Sequence, residues 1–172
     1  RLLKSISKGT SLLIDIREEL SLLENYFTIQ SYRYGGTITM DIQVDNESLY
    51  NSEIIKFTLQ PLVENALYHG IKNKRGKGMI RIEGELDGED CILLITDNGK
   101  GMTPEELDAV QTKIAQSEQT GRNIGLGNIS RRIGMLYPGG KMQVYSRAGH
   151  GTVVRFELPQ TQQPEEKEGT LS

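Results

Sequence analysis

Apolar residues return along this chain in two rhythms, and the change from one to the other divides it. In "DIREELSLLENYFTIQSYRYGG" Ile16, Leu20, Leu23, Phe27, Gln30 and Tyr34 fall at alternating steps of four and three, which predicts one helix bearing a continuous stripe. Asp15 stands as its N-cap with Glu18 three residues on, the spacing of a capping box, and Gly35-Gly36 marks its end. Such a stripe suits an amphipathic helix packed on its own domain or a helix of a dimer-forming bundle, and the pattern leaves both open. The preceding "KSISKGT" reads as a helix stop at Gly9.

Alternation at period two takes over afterwards. "TITMDIQV" places Ile38, Met40, Ile42 and Val44 on one face, and "GMIRIEGEL", "DCILLIT", "GKMQVYSR" and "GTVVRFELP" are strands of similar length bounded by turns. Helical stretches lie between them at about 61 to 71, 104 to 117 and 127 to 137. Five strands with segregated helices predict a two-layer α/β sandwich with a mixed, mostly antiparallel sheet, preceded by a bundle-type helix. Residues 111 to 123 are rich in Gly, Thr and Gln and poor in large apolar side chains, which predicts a mobile segment. The final "TQQPEEKEGTLS" is too polar to order itself.

Composition narrows the function classes without choosing among them. A net charge of -3 over 172 residues gives no electrostatic reason to expect nucleic acid as a partner. The single cysteine, Cys91, excludes an internal disulfide and reads as a small buried strand residue. No apolar run approaches the roughly 18 residues that span a bilayer, so no direct membrane contact by this chain is expected. The chain reads as a fragment of something longer.

Chemistry enters with "LQPLVENALYHG", residues 59 to 70. Turning by about 100° per residue from Pro61 puts Leu62, Val63, Ala66, Leu67 and Gly70 on one arc and Glu64, Asn65, Tyr68, His69 and Lys72 on the other. On its own such an arc is a solvated surface. "DNGKGM" follows the apolar strand "CILLIT", and an aspartate at a strand end, Asp97, can accept from an amino group while Gly99 and Gly101 let a flat ring approach. "NIGLGN" opens a helix with Gly125 and Gly127, where free N–H groups and the helix dipole favour phosphate. A turn is an adequate account of "GHGT", with its Gly149 and Gly151.

The order "ENALYHG", "DNGKGM", "NIGLGN", "GHGT" resembles the Bergerat-type ATP-binding fold shared by gyrase, Hsp90-type chaperones, histidine kinases and mismatch-repair ATPases. The helix "EELSLLENYFTIQSYRYG" leading into "LQPLVENALYHGI" is similar in particular to LytS- and YesM-like sensor histidine kinases, over roughly residues 12 to 158. The resemblance implies that Asn65 holds Mg²⁺ against the ATP phosphates and that Glu64 assists proton removal from the acceptor. It further implies that His69 and Lys72 stand near the phosphates, that Asp97 reads adenine, that Gly125 and Gly127 close on the phosphates, and that Thr152 lines the adenine side. Residues 103 to 123 become a lid, and Asn123 stands where the family usually has a glycine. Three segments are expected: 1–35 as the end of a helical dimerisation and phosphotransfer region, 36–159 as the ATP-binding domain, and 160–172 as a disordered tail.

The implied activity is transfer of the ATP γ-phosphoryl to a histidine upstream of this fragment, and on to a response regulator. The parent would be a homodimer through upstream helices and a sensor of the bacterial plasma membrane, with this domain in the cytoplasm. Neither His69 nor His150 is placed to be the acceptor. The alternatives are a stand-alone ATPase of the same fold and a nucleotide-binding or dimerising module without transfer.

Overall fold

The computed structural model describes residues 13–71, 76–120 and 126–160. A short strand β1 (Leu13–Asp15) runs directly into helix α1 (Ile16–Arg33). β2 (Ile38–Val44), a 3-10 turn at Glu47–Asn51 and β3 (Glu53–Ile55) lead to α2 (Gln60–Asn65), which continues without a break as a π-helical segment, Ala66–Ile71. Next come β4 (Gly78–Asp87), β5 (Asp90–Asp97), α3 (Pro104–Thr120), α4 (Leu126–Leu136), β6 (Lys141–Arg147) and β7 (Gly151–Pro159).

The five strands expected from alternation are the five strands of the main sheet, in the order β2-β4-β5-β7-β6. β2 pairs with β4 in parallel and the other three pairings are antiparallel, so the sheet is mixed and mostly antiparallel. One face is packed. Ile80 and Ile82 of β4, Cys91, Leu93 and Ile95 of β5, and Val154, Phe156 and Leu158 of β7 join Leu62, Val63, Ile129 and Ile133 from the helices in one core. Because side chains alternate along a strand, Asp97 and Thr152 continue the same core-facing series as Ile95 and Val154. The packed face therefore turns polar where β5 ends and β7 begins.

α1 is part of this core. Its Ile16, Leu20 and Leu23 are buried, and each such side chain contributes about 1.5–3 kcal/mol. Of the two readings of its stripe, the amphipathic helix on its own domain is the one this structure shows, with Phe27 and Tyr34 further along also packed against the core. Ile29 and Tyr32, off the stripe, are exposed at 63% and 83%. The expected capping box is not formed: Asp15 makes no side-chain cap, and the Ile16 N–H instead donates to Ser52 O at 2.9 Å. β1 pairs antiparallel with β3, Leu13 opposite Ile55, and this pairing occupies Asp15 as a strand residue. That two-stranded ribbon was not expected, since three residues are too few to show a period. The helix does end as anticipated, with Gly35 and Gly36 at φ 61° and 74°.

A second departure concerns residues 111 to 123. The helix begun at Pro104 runs through Thr120 rather than giving way to an irregular segment. Gln, Lys, Ala and Glu are good helix formers, and Leu107 and Ile114 pack against the core. Few apolar residues are enough when propensity is high. Residues 121–125 and the tail beyond Gln160 lie outside the described residues, as does the stop at Gly9.

Candidate functional site

The site is built where β5 runs out. The carboxylate of Asp97 accepts the Gly99 N–H on Oδ1 at 2.8 Å, a turn closed by the side chain that fixes the carboxylate's direction. Asn98 then rivets the loop to the start of β4. Its N–H donates to Met79 O at 3.1 Å, its Oδ1 accepts the Met79 N–H at 2.7 Å, and its Nδ2 donates to Lys77 O at 3.1 Å.

Asp97 stands opposite Thr152 in the β5/β7 register, and Thr152 stands opposite Ser146 in the β6/β7 register. The two hydroxyls are 2.9 Å apart. Ser146 Oγ also donates to Gly151 O at 2.9 Å and accepts the Met102 N–H at 2.9 Å. A carboxylate and two hydroxyls thus form one row across three strands, braced from the loop that follows Asp97.

Two glycines are required by how closely the backbones meet here. Gly101, at φ 65°, would aim a Cβ into the carbonyl of Arg147, and Gly151, at φ 104°, would aim one into the carbonyl of Asp97. Gly149 has open space around it, so a turn does account for it, whereas Gly151 answers to the close approach. Gly99 is buried in the same loop.

α2 carries Glu64 and Asn65, both half-buried, at its last two α-helical positions. Gln60 Nε2 donates to Glu64 Oε1 at 3.5 Å. Tyr26 of α1 meets Glu64 as well: burial first, then the charge of Glu64 and a hydrogen bond to it, push its phenol up to about 12. Beyond Asn65 the helix widens to π geometry, so a uniform 100° step no longer holds. The expected apolar arc is nevertheless buried at Leu62, Val63, Ala66 and Leu67, and Tyr68 is exposed. The π segment packs across β4, β5 and β7, which brings the end of this helix to the strands that carry Asp97 and Thr152.

Gly127 sits buried in the first turn of α4. Lys72, Asn123 and Gly125 lie outside the described residues, and so does the side chain of His69. His150 is in the turn between β6 and β7, its N–H donating to Arg147 O at 3.0 Å. Of the expected lid, residues 104–120 are α3, whose N-terminus holds a capping box: Glu106 N–H donates to Thr103 Oγ1 at 3.2 Å and Thr103 N–H to Glu106 Oε2 at 3.1 Å. α3 packs on α4, and Gln111 Nε2 donates to Val144 O of β6 at 3.3 Å. An open cleft of about 730 Å³ between α4 and β6, lined by Ser130, Arg131, Met135 and Lys141 among others, includes none of the expected site residues.

Sequence alone missed Asn98, Ser146 and Glu19. Asn98 carried a signal, an Asx residue between an aspartate and a glycine. Ser146 becomes visible only through register. Glu19 reads as one acid of several on a helix.

Residues 50–162 match the family described as histidine kinase-, DNA gyrase B-, and HSP90-like ATPase. The chain belongs to this ATPase family. The matched interval contains α2, the Asp97 loop, α4 and Thr152, while α1 precedes it. Over 158 residues the chain is 33% identical to the sensor histidine kinase YpdA of Escherichia coli (strain K12), covering 92% of this chain and 26% of that protein. Over 148 residues it is 32% identical to the sensor protein LytS of Oceanobacillus iheyensis, covering 86% and 25%. The chain therefore spans about a quarter of the length of these curated relatives.

Among solved structures, a nucleotide-free catalytic domain of histidine kinase ThkA superposes with a TM-score of 0.63 at 22% identity, covering 87% of this chain and 97% of that one. ThkA in complex with the response regulator TrrA gives 0.61 at 20%, covering 93% and 46%. These likenesses bear out the expected ATP-binding fold, and family membership makes ATP the nucleotide. No helix among the described residues of this ATPase-family chain is long and apolar enough to cross a membrane.

Proposed function

We propose that this chain is the catalytic part of a two-component sensor histidine kinase, binding MgATP and passing the γ-phosphoryl to a histidine outside residues 1–172. The observation that carries the reading is the oriented carboxylate of Asp97, fixed by Gly99 at the end of the packed sheet face with Thr152 across from it. Asp97 accepts from the adenine amino group, and Thr152 with Ser146 supplies hydroxyls beside the ring. Gly101 and Gly151 let the loop after Asp97 and the β6–β7 backbone pack closely enough to hold this row in place.

Gly127, with Gly125 before it, offers backbone N–H groups and the positive end of the α4 dipole to the phosphates. His69 and Lys72 are assigned to the phosphates on the family resemblance. Asn65 would hold Mg²⁺. Its side-chain carbonyl is the hard oxygen donor such an ion takes, and among the described residues no cluster of three His, Cys, Asp or Glu offers a dedicated cage for another metal. When bound, the ion neutralises phosphate charge. Glu64 takes the proton from the acceptor imidazole as its nitrogen attacks. The remaining catalysis is alignment of donor and acceptor.

The parent protein in this reading is a plasma-membrane sensor, homodimeric through helices outside this domain, with this part in the cytoplasm and a response regulator as its partner. That ThkA has been solved with TrrA supports the last point by analogy. The division at 35/36 is kept in the proposal as one of sequence only, since α1 packs on the ATP-binding half, and the tail from 160 remains part of the proposal.

Incubated with γ-labelled ATP, the 172-residue chain is expected to bind nucleotide and retain no acid-labile, base-stable label. A version extended through the upstream helices is expected to become labelled on a histidine. Stable label on His69 or His150 in the short chain, found by mass spectrometry, overturns the assignment.

A further inference from the structure

Among the described residues Glu19 is the one charged side chain that is buried, at 2% exposure. It lies in the first turn of α1, and its carboxylate reaches the segment leading into α2. Oε2 accepts the N–H of Phe57 at 3.0 Å and Oε1 that of Leu59 at 3.1 Å. Leu59 holds the N-cap position of α2 and has no capping side chain. Thr58 has the chemistry to cap but spends its hydroxyl on Ile55 O at 2.6 Å. The helix bearing Glu64 and Asn65 is thus capped by another element, with a negative charge at its positive end.

Three further observations tie this contact to the nucleotide site. Phe57 is held at φ 62°, the left-handed region that favours glycine, and it is the one non-glycine there among the described residues. Burial pushes the Glu19 carboxyl up, while the N–H groups before α2 and the charge of Arg132 pull it back. Arg132 belongs to α4, the helix whose first turn contains Gly127. Seven residues beyond Glu19 on the same face of α1, Tyr26 meets Glu64 itself. A serine or aspartate at position 59 would cap α2 locally and leave it indifferent to α1. The cross-cap makes the placement of α2 depend on α1.

We propose that Glu19 is a positioning residue: by capping α2 from α1 it sets where Glu64 and Asn65 stand relative to the ATP phosphates. It rests on the reading of Asn65 as the group that holds Mg²⁺. A position of α1, however imposed, is thereby transmitted to the phosphate end of the site and not to the adenine end, which hangs from β5 and β7.

Glu19→Gln preserves shape but turns an NH₂ towards a backbone N–H, leaving one donor unmet. The full 172-residue chain and this variant are titrated by calorimetry with ATP in Mg²⁺ and with ATP in EDTA. The variant is expected to lose about tenfold in affinity with Mg²⁺ and to stay within about twofold in EDTA. Equal losses in both buffers, as a general loosening of the fold would give, or no loss in either, overturn the proposal.

Asn65→Ala is run alongside. If it leaves the Mg²⁺-dependent affinity unchanged, the reading of Asn65 fails, and Glu19 is judged by amide exchange over residues 57 to 65 without nucleotide. Faster exchange there in Glu19→Gln, with β5 unchanged, upholds the cross-cap. Unchanged exchange over 57 to 65 removes it.

Discussion

At the residue scale, the proposed adenine end of the site rests on single side chains. Asp97→Asn keeps the shape of the side chain but removes the charge an adenine amino group would meet. Losing a charged acceptor costs about 2 kcal/mol or more, or ~30-fold in ATP affinity, with the melting temperature nearly unchanged. Equal affinity by calorimetry removes Asp97 from the site. The two glycines of "GHGT" separate turn from site. Gly149→Ala pays about 1–2 kcal/mol for its positive φ and leaves ATP affinity as it was. Gly151→Ala must in addition push back the Asp97 carbonyl, so its stability falls further and its ATP affinity falls with it. A Gly149→Ala chain that binds ATP worse than Gly151→Ala contradicts this arrangement.

At the scale of elements, the capping boxes teach how far the sequence could be read. Asp15 and Glu18 have the right spacing, and Asp15 does hold the N-cap position with an extended backbone, yet its side chain caps nothing. Thr103 and Glu106 have the same spacing and do form a box. Spacing states a capacity, and the side chain's actual hydrogen bonds decide its use. The five main strands and their alternation were legible because each has its own period, and Asp97, Gly99, Gly101 and Thr152 were legible as a motif order. Ser146 and Glu19 were not, since one acts through register and the other across about 40 residues of chain. Thr103→Ala is expected to lower stability by about 1 kcal/mol, about 2–4 °C in melting temperature. α3 is short of apolar anchors, and amide exchange over residues 103 to 120 is expected to slow with MgATP, as phosphate contacts at the start of α4 steady its neighbour. Identical exchange with and without MgATP contradicts the lid reading.

For the molecule as a whole, alkaline pH is the sensitive direction. Burial raises the Cys91 thiol from 9.0 to about 12, and burial, then the nearby Glu53, raises the Tyr137 phenol. Both groups stay protonated in the folded chain after the unfolded chain has begun to lose its protons. The stability they contribute is complete below pH 9 and is lost as pH rises towards 12. Each such buried group adds about 1.4 kcal/mol of lost stability per pH unit in that window. Denaturant titrations between pH 8 and 11 should show the decline, with a shallower slope in Cys91→Ala. The same burial predicts that a thiol reagent at pH 8 modifies Cys91 only as fast as the chain opens.

The ribbon of β1 with β3 bears on how such proteins can be taken apart and recombined. The family match begins at residue 50 and the sequence pattern suggested a seam at 36, yet three ladder positions and the Glu19 carboxylate fasten residues 13 to 19 onto residues 53 to 59. A hybrid joined at residue 36 would strip β3 of its partner, α2 of its cap, and the core of Ile16, Leu20 and Leu23. Joined ahead of Leu13, the same hybrid would carry its ATP-binding unit across whole. Inheritance of α1 with the ATP-binding half, rather than with whatever stands before it, is the rule this ribbon imposes on exchange of parts between relatives.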